Sequence, residues 1–364
     1  MNEIHQQRLT AVRQQFDKWQ IDALLITSPA NRRWLSGFTG SNAMLLLTPD
    51  QALIATDSRY YERAKVEAPL FTLSKHERTR QHDRQFFQTA PARRIGIEQK
   101  HVTLEQASRW RSLRLGVRWQ PLAETVEPLR AIKSTAEIAL MQRAAAITDQ
   151  AMAQFRHLAR PGLTEKQLAW ELEKVMMAAG ADGVAFATSV ATGPNSALPH
   201  HTTSARTLQE GDIIIVDMGA RLDGYHSDMT RTFYLGSEPP IRFWELYKLV
   251  QQAQQTVLQN ARPGMTLLEV DALARNLIHG AGHKEHFGHG LGHGVGLEIH
   301  EDPFLSPRAP EKATLAVGMN VTIEPGIYIP GWGGIRLEDF AWLSDDGWQL
   351  LSHTPHDPLI PLNR

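Results

Sequence analysis

Two copies of one pattern limit what this chain can fold into more than any other feature it has. "ARPGLTEKQLAWELEKVMMAAGADG" starts at Ala159 and "ARPGMTLLEVDALARNLIHGAGHKE" at Ala261. Both open Ala-Arg-Pro-Gly, then an apolar residue and Thr, and both continue as an amphipathic helix to Ala-Gly, at Gly180 and Gly282. Each copy is followed by a glycine and a β-run, "GDIIIVDMG" from Gly211 and "GMNVTIEPG" from Gly318. Aligning those glycines places Asp217 on Glu324. Chance similarity of helix caps would not put an acid at the same point of two buried-looking runs. The second part of the chain is therefore expected to be an α+β domain of pseudo-twofold symmetry, each half a helix followed by a hairpin.

The hairpins carry the acids. In "DIIIVDMGARLDGYHSDMTRTFYL" the pair Asp223-Gly224 is a two-residue turn signal. That turn pairs Leu222 with Tyr225, Asp217 with Thr230 and Gly219 with Asp228. Asp217 and Asp228 become same-face diagonal neighbours, roughly 7–8 Å apart along the backbone and closer between side chains. In the second hairpin "PGWGG" is read as the loop, which pairs Ile329 with Ile335, Glu324 with Phe340 and Gly326 with Glu338. Glu324 and Glu338 are then diagonal neighbours as well. Buried acids are costly unless paired or bound to metal. Salt bridges to Arg231 and Arg336 are the plain alternative, but two equivalent acid pairs favour a metal site.

"GHGLGHGVGLEIHED", Gly288 to Asp302, has glycine at every second position up to Gly296. Helix is excluded, since each glycine costs about 1 kcal/mol relative to alanine. Read as a strand, it puts His289, Leu291, His293, Val295 and Leu297 on one face and leaves the other bare for another backbone. Residues four apart on a strand lie roughly 13 Å apart, so His289 and His293 are not expected to share an ion. Four carboxylates and one imidazole suit a pair of divalent ions; Mn²⁺ fits well, with Co²⁺, Zn²⁺ or Fe²⁺ as alternatives. Two such ions can share a bridging water and lower its pKa.

The first 125 residues read as a smaller α/β unit. Strands are expected at 22–28 and 94–99, with a hairpin of 43–49 and 52–57. Ser134 and Glu137 form a capping-box signal for a long helix. The boundary is placed just before it, giving domains 1–127 and 128–364. The chain is 42% hydrophobic, with formal net charge −1 and no cysteine. That gives no basic footprint for nucleic acid, and it excludes disulfides and thiolate chemistry. "HERTRQHDR", 76–84, has mixed charge and reads as solvated. No apolar run reaches the ~20 residues of a membrane span, and a soluble cytoplasmic protein is expected.

At "VDMGA", "SDMTRTF", "GHGLGHGVGLEIHED", "TIEPGIY" and "GGIRLED" the chain resembles the pita-bread metallopeptidases. These include methionine aminopeptidase, aminopeptidase P and prolidase, with creatinase a non-metallic relative. "NRRWLSGFTGSNAMLLLTP" and "TDSRYY" resemble the creatinase-type N-terminal domain. The resemblance implies five metal ligands, Asp217, Asp228, His293, Glu324 and Glu338, holding two divalent ions bridged by Asp228 and Glu338. It implies Glu324 as proton shuttle, His200 and His300 as contacts to the substrate or its tetrahedral intermediate, and His289 on the proline side of the pocket. Arg336 and Tyr328 would hold substrate or support the ligands. His201 is expected to be a surface histidine, and Trp332 a rim contact or loop packing. Members with this N-terminal domain are commonly dimers or tetramers.

The implied activity is hydrolysis of an N-terminal Xaa-Pro bond in proline-containing peptides or dipeptides. A bond before proline lacks an N–H, so general peptidases that grip that group fail, and the nitrogen needs an acid to leave. "GFTGSNA" resembles the bacterial aminopeptidase P type, which is preferred over a prolidase restricted to dipeptides. More distant alternatives are a creatinase-like amidinohydrolase and an inactive peptide-binding module, both of which lack metal ligands.

Overall fold

The computed structural model describes residues 2–89, 92–113 and 115–362. Two compact units divide at residue 130, Met1–Arg130 and Ala131–Arg364. The first is built on a six-stranded sheet. Its central strand Ala23–Ile26 pairs antiparallel with Met44–Leu47 and parallel with Arg94–Glu98. Met44–Leu47 turns back onto Ala52–Thr56 through Leu47 opposite Ala52. The runs that read as strands are mostly apolar and lie at the centre. The two edge strands, Thr72–Lys75 and Arg118–Leu122, carry little apolar pattern, and the second contains Pro121, which an edge tolerates.

The segment 76–84 is mostly exposed, as expected, but two of its residues turn inward. His76 and Asp83 are buried, His76 Nε2 lies 2.9 Å from Asp83 Oδ1, and Arg109 Nε lies 2.8 Å from Asp83 Oδ2. The mixed charges pair with one another and with a helix 26 residues later, a long-range partner that local composition does not reveal.

The second unit opens with the helix Thr135–Leu158, capped by Ser134 and Glu137 in a reciprocal box. The two repeats form matching helices, Glu165–Ala178 and Leu267–Gly280. Thr164 with Gln167, and Thr266 with Glu269, close capping boxes at the same place in each copy, a feature typically worth about 1 kcal/mol. The turns before them are tied down alike: the Gly162 N–H donates to Leu208 O, and the Gly264 N–H to Leu315 O. Each half has its own core. Phe155, Leu168, Leu172, Val216 and Phe233 meet in the first, and Val250, Val270, Ile278, Val321 and Ile335 in the second. The domain is thus the pseudo-twofold α+β structure expected from the repeat. No helix among the described residues is long and apolar enough to cross a membrane.

Candidate metal centre

The first hairpin joins Ile213–Met218 to Met229–Leu235, with Asp217 opposite Thr230. Its turn has Asp223 at φ 46° and Gly224 at φ 72°, the positive pair that a tight hairpin turn requires. Leu222 opposes Tyr225, as expected. The ladder breaks between these pairings. A Cβ at Gly219 would lie 1.9 Å from Ser227 O, so only glycine lets the two chains press together there. Asp228 sits at this break, immediately before the strand that pairs with Asp217's strand.

The second hairpin differs from its expected register. Ile329 pairs with Gly333, Ile327 with Ile335 and Thr322 with Phe340. The loop is three residues, not five, and the register is shifted by two. Gly333 and Gly334 are strand residues. A Cβ at Gly334 would lie 2.0 Å from Ser196 O, so these glycines serve close packing and not the turn. A two-residue shift keeps every side chain on its face. Glu324 and Glu338 fall in the gap between the ladders Asn320–Ile323/Asp339–Ser344 and Gly326–Ile329/Gly333–Arg336, and both line the same cavity.

The glycine-rich segment is also shorter as a strand than expected. Only Gly292–Gly294 is a strand, paired with Glu301–Leu305. The bare backbone does bring close neighbours: a Cβ at Gly292 would lie 1.9 Å from Thr322 O, and one at Gly294 2.3 Å from Asp302 O. The Glu324 N–H donates to Leu291 O at 2.8 Å, and the His293 N–H to Thr322 Oγ1 at 3.0 Å. His293 is set against the second hairpin in this way.

All ten residues singled out from the sequence line one cavity of about 590 Å³: His200, Asp217, Asp228, His289, His293, His300, Glu324, Tyr328, Arg336 and Glu338. Asp228, His293 and Glu338 offer ligand atoms within 4.8 Å of one another. His293 Nε2 lies 3.7 Å from Asp228 Oδ2 and 3.4 Å from Glu324 Oε1. Its Nδ1 lies 3.1 Å from Gly294 O; assigning the proton to Nδ1 leaves Nε2 free to act as a ligand. His300 stacks edge-on to His293 at 4.4 Å. His289 is placed apart from the ligand group, with Nε2 3.1 Å from Tyr328 Oη and Nδ1 2.7 Å from Gly290 O.

Arg336 ties the parts together. Nε donates to Thr230 Oγ1 at 3.0 Å, Nη1 to Tyr328 Oη and Pro199 O, and Nη2 to Asp217 Oδ2 at 2.6 Å. Arg231 instead pairs with Asp339 at 2.6 Å. One cation thus faces four carboxylates. Burial and the Glu338 charge push Asp228 well above the usual carboxylate range, and burial with Glu324 and Asp217 does the same to Glu338. Burial lifts Glu324 to about 7. Burial lowers His293, and burial with the nearby His293 ring lowers His300. Burial, reinforced by Arg336, lowers His289 to about 4, and burial raises Tyr328 to about 12. Asp217 Oδ1 is buried with no hydrogen-bond partner. An acid cluster this crowded, with an orphaned carboxylate oxygen, fits divalent cations held by the four acids and His293.

Two features were not read from the sequence, and a third, Trp332, is decided between its two readings. Thr230 donates to Glu338 Oε2 at 2.7 Å and Thr322 to Glu324 Oε1 at 3.2 Å. Each threonine stands two residues from an acid, and strand alternation was the available signal. His201, expected at the surface, has a side chain only 8% exposed and paired to Glu165 at 2.8 Å. That partner is 36 residues earlier, beyond the reach of local pattern. Trp332 packs against the second-half core beneath the Arg242 guanidinium, 5.0 Å from its ring centre, and is not among the cavity's lining residues.

Comparison with known proteins gives a consistent picture. Residues 139–344 match the model for metallopeptidase family M24, and residues 8–132 that for the creatinase/prolidase N-terminal domain. An uncharacterized peptidase of Bacillus subtilis is 39% identical, covering 97% of this chain and 99% of its own. The structure of a Xaa-Pro dipeptidase from Bacillus anthracis is 35% identical with TM-score 0.93, over 98% of this chain and 99% of that one. An X-Pro aminopeptidase from Thermotoga maritima is also 35% identical, with TM-score 0.86, over 93% and 97%.

Proposed function

The chain belongs to metallopeptidase family M24, with its creatinase-type N-terminal domain and pita-bread catalytic fold, and from that premise we propose that it hydrolyses the Xaa-Pro bond of short peptides. The observation that carries this reading is the convergence of four acids and His293 in one cavity. On this reading Asp217, Asp228, His293, Glu324 and Glu338 hold two divalent ions, Mn²⁺ being the proposed native metal. Such ions supply Lewis-acid polarisation of the scissile carbonyl and an activated nucleophile at neutral pH.

The chain's own groups supply the rest. Glu324 carries a proton to the proline nitrogen, which cannot depart unprotonated. His200 and His300 line the same cavity and donate to the carbonyl oxygen as it gains charge. His289, kept neutral by burial and held by Tyr328, offers a flat wall to the pyrrolidine ring. Phe186, Ile299 and Phe304 add apolar lining. The amidinohydrolase and inactive-module readings have no use for five assembled ligands.

Substrate length is the finer question. "GFTGSNA" and the Thermotoga relative favour an aminopeptidase P. One observation favours dipeptides. Arg308 lines the cavity, and its guanidinium has no hydrogen bond or ion pair among the described residues. Arg336, by contrast, has every nitrogen engaged. We take the dipeptide reading, with Arg308 receiving the free carboxylate of Xaa-Pro. The test is hydrolysis of Xaa-Pro and Xaa-Pro-Yaa by metal-stripped protein with Mn²⁺ restored. Cleavage of neither substrate, with metal bound, would remove the peptidase reading.

A further inference from the structure

The segment from Thr192 to Ser204 carries His200 to the cavity, and one carboxylate fixes it from behind. Glu165 is the first residue of the helix Glu165–Ala178 and is 0% exposed. Its Oε1 accepts from the Thr192 N–H at 2.9 Å, the Thr192 hydroxyl at 2.8 Å and Asn195 Nδ2 at 2.9 Å. Its Oε2 accepts from the Ser204 N–H at 2.8 Å and the Ser204 hydroxyl at 2.7 Å, and lies 2.8 Å from His201 Nε2. The clamp therefore grips both ends of the segment and the residue next to His200. On the cavity side Arg336 Nη1 donates to Pro199 O at 3.1 Å. His200 lines the cavity, whereas its neighbour His201 is spent on Glu165.

The fold does not require an acid at this place. The repeat aligns Thr164-Glu165 with Thr266-Leu267. Both threonines cap their helices, and both following residues are buried. The second copy fills the position with Leu267, 4% exposed. Burying a carboxylate where a leucine suffices is costly unless donors converge on it. Here they do, and despite burial they hold Glu165 at about 2, ionised at neutral pH. In this copy the acid is gripped by the segment that carries His200.

We infer that the Glu165–His201 pair is a positioning device that fixes His200 over the carboxylate cluster, at the place where its imidazole meets the scissile carbonyl. The inference rests on the Xaa-Pro peptidase reading. Glu165 and His201 touch no substrate; they act through the turn they hold. An imidazole placed loosely still leaves binding and metal loading intact, so the loss should fall on kcat.

The experiment compares Glu165→Gln and His201→Gln, each alone and combined with His200→Ala, on a Xaa-Pro dipeptide with Mn²⁺. Metal content and thermal unfolding are recorded for each. A misplacement near 1 Å costs up to about a hundredfold, so each single variant should lose about 10- to 100-fold in kcat with metal content unchanged. In the His200→Ala background the same changes should add no more than about a twofold loss, because groups that act through one imidazole are not additive. Equal losses with and without His200, or no loss in either background, would overturn the inference. Should Glu165→Gln not fold, His201→Gln carries the same cycle alone. Parent protein that hydrolyses no Xaa-Pro substrate would instead sink the reading beneath the inference.

Discussion

At the residue scale the central fact is a charge imbalance: four acids, Asp228 and Glu338 buried and Asp217 and Glu324 half-buried, share one guanidinium, and Asp217 Oδ1 has no hydrogen-bond partner. Asp228 is grouped with both His293 and Glu338. Asp228→Ala should lose at least one equivalent of bound metal. Activity should fall by about a thousandfold, as the several kcal/mol of metal-assisted stabilisation disappear. Metal analysis beside kinetics checks this, and a variant with two ions and normal turnover would refute it. His289→Ala should behave differently. Its ring contacts Tyr328 and Gly290 O and is not part of the ligand group, so metal content should stay while turnover drops; metal loss would disprove the separation. Glu165 gives a pH signature. Its folded pKa is depressed to about 2 from 4.5, so its stabilisation is complete above the unfolded value and is lost as pH falls from about 4.5 towards 2. The stability difference between the parent and Glu165→Gln should therefore shrink over that window. A difference independent of pH between 5 and about 2 would show that the carboxylate is not held ionised.

At the element scale, glycines decide which strands approach which. Gly292→Ala would place a methyl 1.9 Å from Thr322 O, which belongs to the strand Asn320–Ile323 leading to Glu324. Backbone cannot yield as a flexible side chain can, and overpacking of this kind costs about 1–3 kcal/mol or more. The variant should unfold at lower temperature and bind metal more weakly, because His293 and Glu324 both move with the contact. Gly282→Ala, where nothing lies within 4 Å but φ is +87°, should lose stability and leave metal affinity as it was. Equal metal affinity in Gly292→Ala and the parent would refute the close-contact account. The same glycines mark how far the sequence could be read. The first hairpin was legible because Asp223-Gly224 has a strong local turn preference. The second was misread by two residues because Gly333 and Gly334 look like loop residues, while their purpose, clearance for Ser196, is a tertiary contact. Alternating glycines announced close packing but overstated the strand's length, since the neighbouring backbones reach only part of it. The acids still met, because an even shift keeps the face.

At the scale of the whole molecule, the repeat made the catalytic half readable: two helices, two hairpins and an acid at one point of each. The polar edge strands Thr72–Lys75 and Arg118–Leu122, the His76–Asp83–Arg109 group and the Glu165–His201 clamp were not readable, because each depends on a partner distant in sequence. Substrate length is likewise a property of the assembled cavity. Arg308 contributes a guanidinium without a partner among the described residues to a cavity whose other guanidinium, Arg336, is fully engaged. A dipeptide brings a carboxylate within two residues of the scissile bond, whereas a tripeptide carries an amide there. A charged hydrogen bond is worth about 1.5–3 kcal/mol, which corresponds to roughly 10- to 100-fold in kcat/KM. The parent should then cleave Xaa-Pro at least about tenfold better than Xaa-Pro-Yaa. Arg308→Ala should lower the dipeptide's kcat/KM by that factor and leave the tripeptide's within about twofold. Both substrates meet the same enzyme and metal, so errors in loading cancel in the ratio. Tripeptides cleaved as well as dipeptides by the parent, or an Arg308→Ala variant that slows both equally, would return the chain to the aminopeptidase P reading and leave the metal centre untouched.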